Sequence, residues 1–110
     1  TFSGNSVLTG GYGGGLFIGA GVTVTITDSA FTSNTGALNG GGICQYSPST
    51  ATLTRVAFTS NSVAGYGGGY YNGGPATAVT YLNDCSFTTN TATTGGRGGG
   101  VSSSLHYSKT

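Results

Sequence analysis

Phenylalanine recurs along the chain at Phe2, Phe31, Phe58 and Phe87, at intervals of 29, 27 and 29 residues. Asparagine follows three positions after each, at Asn5, Asn34, Asn61 and Asn90, and each asparagine precedes a serine or threonine. Every repeat then reaches three glycines, at 13–15, 40–42, 67–69 and 98–100, followed by Leu16, Ile43, Tyr70 or Val101. Between the glycines and the next Phe, the run from Val22 to Thr27 alternates apolar and polar residues, which is the period of a strand. Ala51 to Thr54 and Val79 to Leu82 occupy the same phase. Glycine and β-branched residues disfavour helical repeats of similar length. A period of 27 to 29 residues holding short strands and turns predicts a right-handed parallel β-helix of about four coils, one domain over residues 1–110.

Stacked coils turn each repeat position into a column, with successive rungs about 4.7–4.9 Å apart. Phe2, Phe31, Phe58 and Phe87 form one inward column. Five residues before each later Phe, Ile26, Leu53 and Leu82 form a second. Asn5, Asn34, Asn61 and Asn90 are placed to hydrogen-bond from coil to coil as an Asn ladder. Three residues before each later Phe stand Asp28, Arg55 and Asp84. If the pattern resumed at Thr1 after Thr110, Lys109 would join them with a last spacing of 25, giving an ionic ladder of alternating sign, and Tyr107 would extend the Ile26 column. The glycines fit turns with positive φ or close approach of two backbones.

Composition narrows the function. There are 23 glycines, but aromatic and β-branched residues are too regular for a disordered chain. A net charge of +1 without a basic cluster argues against nucleic acid and anionic membranes, and no apolar run is long enough to span a bilayer. Catalysis is not expected, since the chain has two acidic residues and one histidine, and β-helix lyases and hydrolases concentrate several charges in a groove. Asp28 and Asp84 fall two coils apart, His106 reads as a surface residue, and no spacing suggests a metal or cofactor site. Cys44 and Cys85 sit at different phases of the coil, so the expectation is two buried free thiols.

The paired signatures F-x-x-N and G-G-G-[LIYV] resemble the repeats of the chlamydial polymorphic outer-membrane proteins, which carry FxxN and GGA[ILV] motifs, with Gly here where the third position is usually Ala. The resemblance covers all 110 residues. It implies a right-handed β-helix exposed at a cell surface, used for scaffolding or adhesion, and no catalytic residue. Neither end of the sequence reads as a polar cap, so the expected partner is self, either as a longer array or by head-to-tail stacking. The leading expectation is therefore a structural module of an extracellular filament or surface array. The second is an adhesin that binds a glycan or a host receptor, using outward Tyr12, Asn39, Tyr66 and Arg97, each just before a glycine triplet. The third is ice binding by the rows Thr23, Thr25 and Thr50, Thr52, which Val79 and Tyr81 interrupt. No N-x-[ST] sequon occurs, and the many Ser and Thr leave O-glycosylation open.

Overall fold

A computed structural model describes residues 1–6, 11–46, 48–73, 77–93, 98–103 and 108–109. All regular structure among them is strand: β1 (Phe2–Ser3), β2 (Leu16–Ile18), β3 (Thr23–Thr32), β4 (Thr35–Gly36), β5 (Ile43–Gln45), β6 (Thr50–Thr59), β7 (Ser62–Val63), β8 (Tyr70–Asn72), β9 (Val79–Asn83), β10 (Ser86–Thr88), β11 (Thr91–Ala92), β12 (Val101–Ser103) and β13 (Ser108–Lys109). Every pairing is parallel. The largest sheet runs β1-β3-β6-β9-β13, with β10 also on β6; the others run β4-β7-β11 and β2-β5-β8-β12. Neighbours in each sheet are equivalent strands of successive repeats, as the register Phe2↔Phe31, Phe31↔Phe58 and Phe58↔Phe87 shows. The four repeats thus supply four rungs, and the path from the first Phe to the last makes three turns of a β-solenoid.

The apolar columns fill the interior. The Phe rings stack at centroid separations of 4.5, 5.1 and 4.7 Å, nearly coplanar at 2°, 10° and 2°. Phe31 and Phe58 are fully buried, each burial contributing on the order of 1.5–3 kcal/mol, while Phe2 and Phe87 on the outer rungs are half-buried. Leu53 and Leu82 are buried beside them and Ile26 is half-buried, with Ile18, Ile43, Val56 and Tyr70 completing the core.

Backbone amides inside the turn need partners, and the asparagines provide them. The Oδ1 of Asn61 accepts from both the backbone N–H and the Nδ2 of Asn34, at 2.9 and 3.0 Å. The Nδ2 of Asn61 donates to the Phe31 carbonyl one rung back at 2.8 Å and to Asn90 Oδ1 one rung forward at 2.9 Å. Asn5 and Asn34 repeat the pattern. One short side chain therefore ties the bend to both neighbouring coils.

Each glycine of a triplet has its own reason. Gly40 adopts φ 71°, a left-handed bend. A Cβ on Gly41 would collide with the Gly68 carbonyl and lie 2.6 Å from that of Ser62, because backbone packs on backbone there. A Cβ on Gly42 would lie 2.5 Å from the Gly69 carbonyl oxygen and 3.0 Å from the Phe58 ring. Glycine does not account for every bend, however. Asp28, Arg55 and Asp84 have φ of 50°, 53° and 52°, and Ser33, Ser60 and Thr89 have 56°, 57° and 53°. Short or outward-pointing polar side chains tolerate these two corners, at a cost of roughly 1–2 kcal/mol per residue relative to right-handed backbone.

Another departure from the sequence reading lies inside. Gln45, Asn72 and Thr80 are buried and polar. Gln45 Nε2 donates to Ser49 Oγ at 2.9 Å, and its Oε1 accepts from the Tyr70 hydroxyl at 2.7 Å and from Thr80 at 2.5 Å. Asn72 Nδ2 reaches the Ala78 carbonyl at 3.0 Å and Thr80 Oγ1 at 2.9 Å. A satisfied polar network thus replaces hydrocarbon where the chain turns from the β2-β5-β8-β12 sheet back to β6 and β9.

Two substitutions test this packing. Asn61→Ala strands several buried donors and acceptors, so denaturant unfolding should show a loss of at least about 3 kcal/mol. Gly41→Ala should cost about 3 kcal/mol or more, since only backbone could move aside. A loss below about 1 kcal/mol for either would contradict the stacked geometry.

Candidate functional site

The charged column lies at an outer corner. The register of β3 with β6 passes from Thr27↔Thr54 to Ser29↔Val56, leaving Asp28 and Arg55 off the ladder at their left-handed bend. Arg55 clasps Asp28 with two bonds, Nε to Oδ1 at 2.6 Å and Nη2 to Oδ2 at 3.0 Å. That bond holds the Asp28 carboxyl below its usual range and the guanidinium above its own, with Asp84 adding a weaker attraction on Arg55. Both side chains are mostly exposed, so salt screens the pair. Lys109 does not join this column. Its backbone pairs with Leu82, two residues before Asp84 in register, because β13 meets β9 through Ser108↔Tyr81 and Lys109↔Leu82. Tyr107, His106 and Arg97 lie outside the described residues.

The Thr rows stack in register, Thr23↔Thr50 and Thr25↔Thr52, and the next rung substitutes Val79 and exposed Tyr81. The regular array is two rungs deep. A shallow groove of about 340 Å³ lies over β4, β7 and β11, lined by small residues such as Ser6, Thr35, Ala37 and Ala64.

The most distinctive surface is the outer face of the sheet β2-β5-β8-β12. Strand alternation sends Leu16 and Ile18 inward and Phe17 outward, and the register carries Phe17 over Cys44 and Cys44 over Tyr71. Tyr12 stacks on Tyr46 at 5.3 Å and 19° and approaches Phe17 at 6.2 Å. Tyr66 stacks on Tyr71 at 6.1 Å and 21°. Phe17, Tyr46 and Tyr66 remain 47%, 43% and 41% exposed. The Tyr71 ring lies across Gly73, which has no side chain to obstruct it. Asn39, between Tyr12 and Tyr66 in the repeat, accepts the Tyr66 N–H on its Oδ1 at 2.9 Å.

Comparison with protein families, curated proteins and solved structures finds no match for this chain.

The sequence reading singled out Tyr12, Asn39 and Tyr66 but missed Phe17, Tyr46 and Tyr71. The available signal was the residue after each post-glycine position, Phe17, Cys44, Tyr71 and Ser102, which strand alternation turns outward. Cys44 is buried, but on this outer face beneath the rings and not in the interior cluster. Cys85 is a free thiol too, yet only half-buried, with its Sγ 3.5 Å from the Leu53 and Asn83 carbonyls. Among the described residues no group of three His, Cys, Asp or Glu gathers as metal ligands.

Burial pushes the Cys44 thiol up to about 12 and raises Tyr70 as well. Folded chains keep these protons where unfolded chains release them. Stability should therefore fall as pH rises from about 9 towards 12, read as a lower denaturant midpoint. The Asp28 contribution has the opposite sense, present above the ordinary carboxylate range and lost on acidification, and it should be small and salt-sensitive. At pH near 8, Cys44 in the folded chain should resist a thiol reagent until denaturant is added. A midpoint that does not change with alkaline pH, together with immediate labelling of Cys44, would contradict the buried placement.

Proposed function

We propose that the chain is a structural repeat module of an extracellular filament or cell-surface array, extending coil on coil with a second copy of itself. The carrying observation is that the asparagine ladder has a direction. Each Oδ1 accepts from the rung before it, and each Nδ2 donates to the rung after it. Asn5 Oδ1 therefore offers an acceptor on the first rung. The backbone N–H of Asn90 and one of its Nδ2 hydrogens meet no described residue beyond the last. The Phe2 and Phe87 rings each stack on one described ring, against two for Phe31 and Phe58. Edges that are donor-rich on one side and acceptor-rich on the other are complementary to each other, and heterologous contacts that do not close extend into filaments.

Three further features support this reading. The fold is a β-solenoid, which suits repeat scaffolds. The surface is rich in Thr and poor in charge. The F-x-x-N and triple-glycine motifs resemble those of surface-exposed β-helix repeats. Stacking does not require the 25-residue spacing of a direct tandem fusion, which the Lys109 register disfavours.

Electron microscopy and fibre diffraction of the purified chain test the proposal. Filaments with an axial reflection near 4.7–4.9 Å are expected. Phe87→Lys, which places an ammonium where the next ring would stack, should abolish the filaments. A wild-type chain that stays monomeric at every concentration would overturn the assembly.

A further inference from the structure

We propose that the outer aromatic face of the sheet β2-β5-β8-β12 binds a neutral polysaccharide laid along the coil axis. Exposed aromatic groups gathered in one place are unusual on a soluble surface and mark interaction sites. Here they occupy three successive rungs: Tyr12 and Phe17 on the first, Tyr46 on the second, Tyr66 and Tyr71 on the third. The rungs they span cover about 10 Å, so an extended ligand parallel to the axis meets a ring at every step. The stacked pairs Tyr12 with Tyr46 and Tyr66 with Tyr71 hold one another in place, which lowers the entropy lost on binding.

The chemistry of the face selects the ligand. Among the described residues the cluster holds no Asp, Glu, Lys or Arg side chain. Asp28 and Arg55 belong to the corner between the halves of β3 and β6. Among the described residues an anionic polymer therefore finds no cation on this face; Arg97, next in the column of Tyr12, Asn39 and Tyr66, lies outside them. The face is not plain hydrocarbon either. Four tyrosines, Tyr12, Tyr46, Tyr66 and Tyr71, supply hydroxyls. Asn39 is half-buried and oriented by the bond from Tyr66, and its Nδ2 donors meet no described residue. Apolar rings with a few fixed polar groups suit a pyranose, which has C–H faces and a hydroxyl rim. A lipid tail would leave Asn39 and the phenols unmatched.

Affinity electrophoresis in native gels cast with hydroxyethylcellulose, galactomannan or arabinoxylan provides the test, with alginate gels for comparison. It uses the full chain, loaded below the concentration at which end-to-end association sets in. Retardation by at least one neutral polymer is expected, none by alginate, and added salt should not weaken it. The pair Tyr46→Ala and Tyr66→Ala should bind at least tenfold more weakly. Both positions are exposed, so the thermal midpoint should hold. Asn39→Ala should weaken binding about threefold or more, whereas Tyr81→Ala, exposed on the other sheet, should change nothing. The proposal fails if no neutral polymer retards the chain, if the double variant binds as before, or if binding is confined to alginate and lost in salt. It also fails if the two tyrosines instead support a concentration-dependent dimer, which would make a second copy the occupant.

Discussion

The structure depends on each winding of the backbone lying directly over the previous one, in parallel hydrogen-bonded register. That constraint fixes the vertical spacing near 4.8 Å for every column at once. Flat rings can meet face to face at that spacing, as the Phe column does at 4.5 to 5.1 Å. A carboxamide can reach a carboxamide, as Asn34 does with Asn61. A one-residue slip would turn the Phe rings out of the core and break every amide bond of the ladder, so the two columns guard the same register.

The corners show what the constraint costs. Backbone packs on backbone at the glycine triplets, which leaves no room for a Cβ on Gly41 or on Gly42. Elsewhere the chain turns through left-handed residues that are not glycine, among them Asp28, Arg55 and Asp84. The Arg55–Asp28 clasp decorates a bend whose position is set by the fold, and it is one consequence of stacking, not its cause.

Periodicity made the fold, the inward columns and the ladder legible, because F-x-x-N and G-G-G repeat with nearly fixed spacing. What escaped was whatever does not repeat. Gln45 and Asn72 share a column with Ile18 but the residue type changes at every rung, and Thr80 joins them from another phase, so no repeated residue announces the buried network. The aromatic face likewise mixes Tyr12 and Tyr66 of one column with Phe17 and Tyr71 of another, and Tyr46 of a third. Lys109 pairs with Leu82 and not with Asp84, a register that the spacing of the Phe residues does not announce. Left-handed Ser33, Ser60 and Thr89 carry no sequence signal, since their side chains do not demand the conformation.

A regular interior thus supports an irregular exterior, and the division suits a scaffold that carries chemistry on its faces. Hydrogen exchange of the side-chain amides of Asn34 and Asn61 tests the stacked interior most directly. Both are wholly buried and bonded to the rungs on either side, so their protons should exchange only as fast as the whole domain unfolds. If those protons exchange as quickly as the carboxamide of an exposed asparagine, the coils are not tied together as described.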